Sequence, residues 1–167
     1  KDLKPDLLVV LGDRFEIVSF VYVATLFKIP IAHLCGGDVT EGAYDDVFRN
    51  AISKMSHIHF VTNDESKKNL VFMGESPQRI FNFGNPGLQD LVNFKPMSKT
   101  ELSKLIGKPI GKPISEKYAV IAYYPVTIKT RKDNKQDIQN VIRSLDYLSD
   151  RGYSFFVLGT NIDTYHN

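Results

Sequence analysis

There is no tryptophan in this 167-residue sequence and only one cysteine, Cys35. A single thiol excludes an internal disulfide, and on general grounds it reads as a small, buried, weakly polar residue rather than a nucleophile. Histidine is also scarce: the 4 residues, His33, His57, His59 and His166, show no metal-ligand spacing. Charge of one sign is lacking, because 21 Lys and Arg face 19 Asp and Glu for a net +2. The lysines are scattered rather than massed, which excludes a nucleic-acid footprint. No apolar run approaches the roughly 18 residues that a membrane span needs. The longest, Ile17 to Leu26, is broken by Ser19 and Thr25 and reads as a buried helix. A signal-peptide pattern is missing as well. These absences together predict a soluble, cytoplasmic protein. The chain opens on Lys1, reaches a buried-type strand by Leu7, and stops at Asn167 shortly after another strand. Both ends read as cut from something longer.

What is present is an alternation. Hydrophobic residues make up 43% and charged residues 24%, as in an ordinary globular protein. Short apolar runs alternate with helical patterns at the spacing of repeated βα units. Leu7 to Leu11 is apolar at every position, which predicts a strand covered on both faces. Helix is expected over Phe15 to Phe27, strand over Pro30 to Leu34, and helix over Tyr44 to Ser56. Ile58 to Thr62 follows as strand, then a helix capped by Asn63 and running to Met73. Ile80 to Phe83 is a fourth strand, followed by Gly84-Asn85-Pro86 and a short helix to Phe94.

Composition changes over residues 95–117, where Gly107-Lys108-Pro109 and Gly111-Lys112-Pro113 punctuate a stretch of little apolar content. We read it as a connection, with a short helix over Lys99 to Ile106. A βαβ unit follows: strand Tyr118 to Tyr123, a helix with Ile138, Val141, Ile142, Leu145 and Leu148 on one face, a cap at Gly152, and strand Ser154 to Leu158. The expected fold class is α/β with Rossmann-like parallel sheets. Its parts are residues 1–94 as the C-terminal half of a first domain, 95–117 as connection, and 118–167 as the start of a second. Both domains are expected to be incomplete, since two strands cannot bury a core alone.

In open parallel sheets, ligands bind beyond the carboxyl ends of the strands, so the polar residues after each apolar run are the candidates. Asp13 follows the first strand between Gly12 and Arg14. It is either a carboxylate in the crevice, available as general base, or the N-cap of the helix at Phe15. His33 ends the second strand and is followed by Cys35-Gly36-Gly37-Asp38, where adjacent glycines permit close approach of a ligand. Asp45 and Asp46 open a helix with Arg49 one turn on; they are either first-turn surface acids or a carboxylate–arginine group facing the crevice. Gly84-Asn85-Pro86 and Tyr123-Tyr124-Pro125-Val126-Thr127 are further strand-end loops.

Taken in order, these strings are more specific than any one alone. Pro5-Asp6, Gly12-Asp13-Arg14, Ile29-Pro30, His33-Leu34-Cys35-Gly36-Gly37 and the run from Asp45-Asp46-Val47-Phe48-Arg49 to His57-Ile58-His59-Phe60 resemble the hydrolysing UDP-N-acetylglucosamine 2-epimerases. The similarity is greatest to the branch that supplies N-acetylmannosamine or related sugars for sialic-acid-type nonulosonates. Pro125-Val126-Thr127 and Asn161-Ile162-Asp163 also match stretches of that family. The resemblance implies two Rossmann-like domains of the glycosyltransferase-B type, a UDP-sugar substrate, no cofactor, no metal, and a homo-oligomer. It implies anti-elimination of UDP from the sugar followed by addition of water, giving the 2-epimeric free sugar. The implied catalytic residues are Asp13 and Asp45 or Asp46. The implied substrate-binding residues are Arg14, His33, Gly36, Gly37, Arg49, Tyr124 and Asn161. Relatives often carry Glu or His at the position of Cys35, and His at that of Tyr124. These departures leave two other readings open, a non-catalytic nucleotide-sugar-binding subunit and a glycosyltransferase of the same fold. The isolated chain is expected to be inactive, with Leu8 and Val10 facing solvent.

Overall fold

A computed structural model describes residues 4–41, 43–106, 117–126 and 128–159. The chain folds as two compact units, Lys1–Phe94 and Lys95–Asn167. In the first, β1 (Leu8–Leu11), α1 (Phe15–Leu26), β2 (Ile31–Leu34), α2 (Asp45–Met55), β3 (Ile58–Val61), α3 (Asp64–Phe72) and β4 (Ile80–Asn82) alternate. The strands form one 4-stranded sheet in the order β1-β2-β3-β4, with every pair parallel. When each crossover is right-handed and moves the same way along the sheet, all the helices lie on one face. The packing agrees. Val10 and Ile31 meet Val21 and Ala24 of α1 and Ile52 of α2 in one cluster, while Val61 and Ile80 meet Leu70 of α3 in another.

The register fixes which strand residues share that covered face. Leu8 pairs with Ile31, Val10 with His33, His33 with His59, and His59 with Ile80, so all of these point toward the helices. The alternate residues point the other way, where no described helix of this unit lies. Val9 is 58% exposed and Leu11 57%, and Phe60, Phe81 and Phe83 stack on one another with centroids 5.8–6.2 Å apart. This corrects one sequence expectation. Among the described residues, the β1 side chains that face solvent are Val9 and Leu11, while Val10 is 8% exposed. An unbroken apolar run carries no phase, so it cannot say which alternate set is buried.

α3 begins as expected, with the Asn63 side chain accepting from the Ser66 amide at 2.9 Å. The segment after β4 forms a 3-10 turn over Pro86–Leu91, in which the Asn85 side chain accepts from the Gly87 amide. In the second unit, α4 (Lys99–Ile106) precedes β5 (Lys117–Ile121), α5 (Arg131–Ser149) and β6 (Tyr153–Val157), with β5 and β6 parallel. Thr130 caps α5 by accepting from the Asp133 amide. Asp150 is its C-cap, and Gly152, expected there, lies two residues on with φ +83°. The unit's ladder is closed by an edge-on contact of Tyr118 with Phe156, centroids 5.8 Å apart.

Candidate functional site

The loops after β1 and β2 meet the first turns of α2 at the carboxyl edge of the first sheet, and Arg49 is where they join. Arg49 sits one turn into α2 on the helix's buried side and is only 4% exposed. A buried guanidinium needs its N–H groups satisfied and its charge matched. Here one terminal nitrogen donates to the Asp38 carbonyl at 2.7 Å and to Asp46 Oδ1 at 2.5 Å. The other donates to Asp13 Oδ2 in a close ion pair and to Thr40 Oγ1 at 2.8 Å. Two carboxylates against one guanidinium leave the group formally one unit negative. The Asp13 side chain keeps 29% of its surface exposed and that of Asp46 32%, so both are partly open to solvent.

Asp13 is therefore not the cap of α1. The N-cap is Arg14, which makes no side-chain capping bond, and the Asp13 carboxylate turns instead to a residue 36 positions away. Of the two adjacent acids, Asp46 joins Arg49, being three residues before it on the helix, and also accepts from the Thr40 amide at 2.8 Å. Asp45 is half-buried at the first position of α2. Arg14, expected at the substrate, is exposed and forms a forked pair with Glu16 at 2.8 and 3.1 Å.

His33 lies beneath this edge rather than in it. Its ring has no exposed surface and is enclosed by the protein in this conformation. Nε2 is 2.8 Å from the Gly12 carbonyl and Nδ1 is 3.0 Å from Ser53 Oγ. A carbonyl only accepts, so Nε2 carries the proton and Nδ1 accepts from the serine. Burial pushes its pKa down to about 4, so the ring is neutral near pH 7.

The two glycines are also explained by packing. A Cβ on Gly36 would lie 2.9 Å from both His33 Nδ1 and Ser53 Oγ. Gly37 has φ +79°, and a Cβ there would meet the Ser66 carbonyl at 2.2 Å. The close approach that each glycine allows is to the protein itself. Cys35 takes φ +64° at the start of this loop, and its amide donates to the Phe60 carbonyl at 2.8 Å. Burial raises its thiol pKa, with the nearby Asp38 and Asp13 adding to the effect, so it stays a neutral thiol near pH 7.

Sequence reasoning missed the residues that tie the loop down. Asp38 Oδ1 accepts from Thr62 Oγ1 at 2.7 Å and from Ser66 Oγ at 2.5 Å, and Asn69 donates to the Gly37 carbonyl at 2.8 Å. Asp38, Thr40, Arg49, Asn63, Ser66 and Asn69 line an open polar cleft of about 320 Å³. Ser53 was missed too. Its only signal is its position, one helical turn after Arg49 on a face otherwise closed by Ile52. In the second unit, Tyr124 follows β5 and is 51% exposed. The next loop residues are latched by Asn134, whose side chain accepts from the Val126 amide at 3.1 Å and donates to its carbonyl at 3.0 Å. Asn161 and Thr127 lie outside the described residues. Among the described residues no cluster of three or more His, Cys, Asp or Glu could hold a metal, and no helix is long and apolar enough to cross a membrane.

Comparison with known proteins gives this site a context. Residues 1–164 match the family model described as UDP-N-acetylglucosamine 2-epimerase. The chain is 40% identical over 155 residues to the GDP/UDP-N,N'-diacetylbacillosamine 2-epimerase (hydrolyzing) of Campylobacter jejuni, covering 93% of this chain and 39% of that protein. It is 35% identical over 140 residues to the UDP-N,N'-diacetylbacillosamine 2-epimerase (hydrolyzing) of Legionella pneumophila, covering 84% of this chain and 36% of that one. The chain thus spans less than two fifths of the length of either relative. Among solved structures, the UDP-GlcNAc 2-epimerase of Neisseria meningitidis bound to UDP-GlcNAc superposes with a TM-score of 0.70 at 22% identity. That match covers 97% of this chain and 44% of that one, and it shows the fold, Rossmann-like parallel sheets of the glycosyltransferase-B type.

Proposed function

The chain belongs to the UDP-N-acetylglucosamine 2-epimerase family, and from that premise we propose that it carries part of the active site of a hydrolysing 2-epimerase. Its substrate is a UDP-linked 2-acetamido sugar, either UDP-GlcNAc or a diacetamido-dideoxy relative of it. The reaction eliminates UDP across C1 and C2 and adds water to the resulting glycal, releasing the 2-epimeric free sugar. Residues 1–94 belong to the first nucleotide-sugar domain and residues 118–167 to the second, in a cytoplasmic homo-oligomer.

The observation that carries this reading is the convergence of Asp13, Asp46 and Arg49 on one sheet edge, with both carboxylates partly open. A C2 proton is a weak acid, and its removal needs a placed base. Asp13 is assigned that role, with Arg49 fixing its carboxylate, and Asp46 or Asp45 supports the positive charge that builds at C1. Cys35 is not assigned to proton transfer, since its half-buried thiol, with its pKa raised, stays neutral near pH 7. Arg49 is assigned to holding the loop rather than to meeting the diphosphate directly, because its terminal nitrogens are already engaged. Within the first unit, main-chain groups of the glycine loop complete the proposed substrate contacts.

The test is incubation of the full-length protein with UDP-GlcNAc or UDP-N,N'-diacetylbacillosamine, without any acceptor, in deuterated water. Release of UDP with a free sugar carrying deuterium at C2 is the expected result. Release that depends on an added acceptor would mean a transferase, and binding without turnover would mean the non-catalytic subunit. Asp13→Asn keeps the shape and removes the base, so turnover should fall by roughly 100-fold or more while the fold survives. Near-normal turnover in that variant would remove Asp13 from the mechanism.

A further inference from the structure

The buried pair formed by His33 and Ser53 has no contact with solvent, yet it ends on the main chain of the residue before Asp13. Gly12 is pinned at both of its peptide groups. Its amide donates to the Leu34 carbonyl at 2.9 Å, and its carbonyl accepts from His33 Nε2 at 2.8 Å. With φ +79°, Gly12 adopts a backbone turn that few other residues would hold, and the next side chain is sent to Arg49. The Asp13 carboxylate is thus located from two directions, through its side chain by α2 and through its main chain by the histidine. Both supports come from the same helix, since Ser53 lies one turn after Arg49.

We propose that Ser53 and His33 are positioning residues for the Asp13 carboxylate, with Ser53 donating to Nδ1 and so holding the His33 ring where its Nε2–H donates to the Gly12 carbonyl. The neutral ring can present only one N–H, and either nitrogen could carry it. The Gly12 carbonyl removes the ambiguity, because it can only accept, and the Ser53 hydroxyl then satisfies the buried Nδ1 lone pair that this tautomer leaves. Without that hydroxyl the buried Nδ1 loses its donor, and the ring is no longer held against the Gly12 carbonyl. The Gly12–Asp13 peptide is then less firmly held, and a base displaced by a fraction of an ångström loses rate rather than affinity. Gly36 belongs to the same device, since any side chain on it would enter the space of the His33–Ser53 bond.

This inference rests on the epimerase reading for its rate effect but not for its geometry, so two measurements are made. Nitrogen-15 spectra of the isotope-labelled protein should show His33 with a slowly exchanging Nε2–H, an unprotonated Nδ1, and coupling across the hydrogen bond to the Gly12 carbonyl carbon. In Ser53→Ala that coupling should shrink as the ring loses its anchor at Nδ1. A His33 Nδ1–H tautomer in the wild type, or an unchanged coupling in the variant, overturns the proposal whether or not the protein turns over any sugar. In the full-length enzyme, Ser53→Ala should lower kcat roughly tenfold while KM changes by less than about twofold. Because Ser53 acts through His33, Ser53→Ala added to His33→Gln should cost less than about twofold beyond the single variant. Additive losses, or a wild-type kcat in Ser53→Ala, would show that Ser53 is only a packing residue. Absence of turnover in the wild type itself would refute the epimerase reading and leave the spectroscopic result to decide the positioning.

Discussion

Acidification should unfold the first unit earlier than its carboxylates alone would predict, because His33 is buried as a neutral ring. Its pKa falls from 6.5 to about 4 on folding. The sign follows from the proton balance. Below 6.5 the unfolded chain binds a proton at this site and the folded one does not, so the contribution is intact above 6.5 and is lost as pH falls toward 4. At about pH 4.5 that single group costs about 2 to 3 kcal/mol relative to neutral pH. This is a large share of the roughly 5–15 kcal/mol typical of a domain. His59, also fully buried and with its pKa lowered first by burial, acts in the same direction. The measurement is denaturant unfolding of wild type and His33→Gln between about pH 7.5 and pH 4.5, followed by far-ultraviolet circular dichroism. The variant starts less stable, having lost packing and the ring's two hydrogen bonds, but it has no histidine to protonate at this site. The gap between the two proteins should therefore narrow by about 2 kcal/mol on acidification. A gap that stays constant to within about 0.5 kcal/mol would show that His33 titrates alike in the folded and unfolded states, and the buried neutral tautomer would be refuted.

Two further outcomes follow from the same site. Arg49→Lys keeps a cation but cannot reach Asp13, Asp46, Thr40 and the Asp38 carbonyl together, so stability should fall by about 3 kcal/mol in the same unfolding assay; a loss below about 1 kcal/mol would mean the four bonds are not simultaneous. Gly37→Ala places a methyl 2.2 Å from the Ser66 carbonyl at φ +79°, which should cost about 2 kcal/mol or more and pull α3 from the loop. Unchanged thermal unfolding of that variant would contradict the described contact.

Much of the first unit could be read from the chain because its determinants are local. The alternation of apolar runs with helical stretches places β1 to β4 and the helices between them to within a residue or two, as does the Asn63 cap, whose partner is three residues away. Family membership is equally a property of the linear strings, since Gly12-Asp13-Arg14 and the α2 run keep their order whatever the chain does in space. Other features depended on what meets what across the sheet. The all-apolar β1 gave no phase, so only its register with β2 decided that Val10 is covered and Val9 exposed. Asp13 suits a helix cap and a crevice carboxylate equally well until α2 brings Arg49 to it across 36 residues. Helical rotation picks Asp46 over its neighbour for the inward contact with Thr40 and Arg49. Gly36 and Gly37 suggested room for a ligand, and the fold sets Ser53, His33 and the main chain of α3 against the side on which each would carry a Cβ. Secondary structure and kinship were written in short-range pattern, where each residue is judged against its neighbours. The site's charge pairing, the tautomer of His33 and the exposed side of the sheet were decided only by packing, because each depends on groups far away in sequence and a few ångströms away in space.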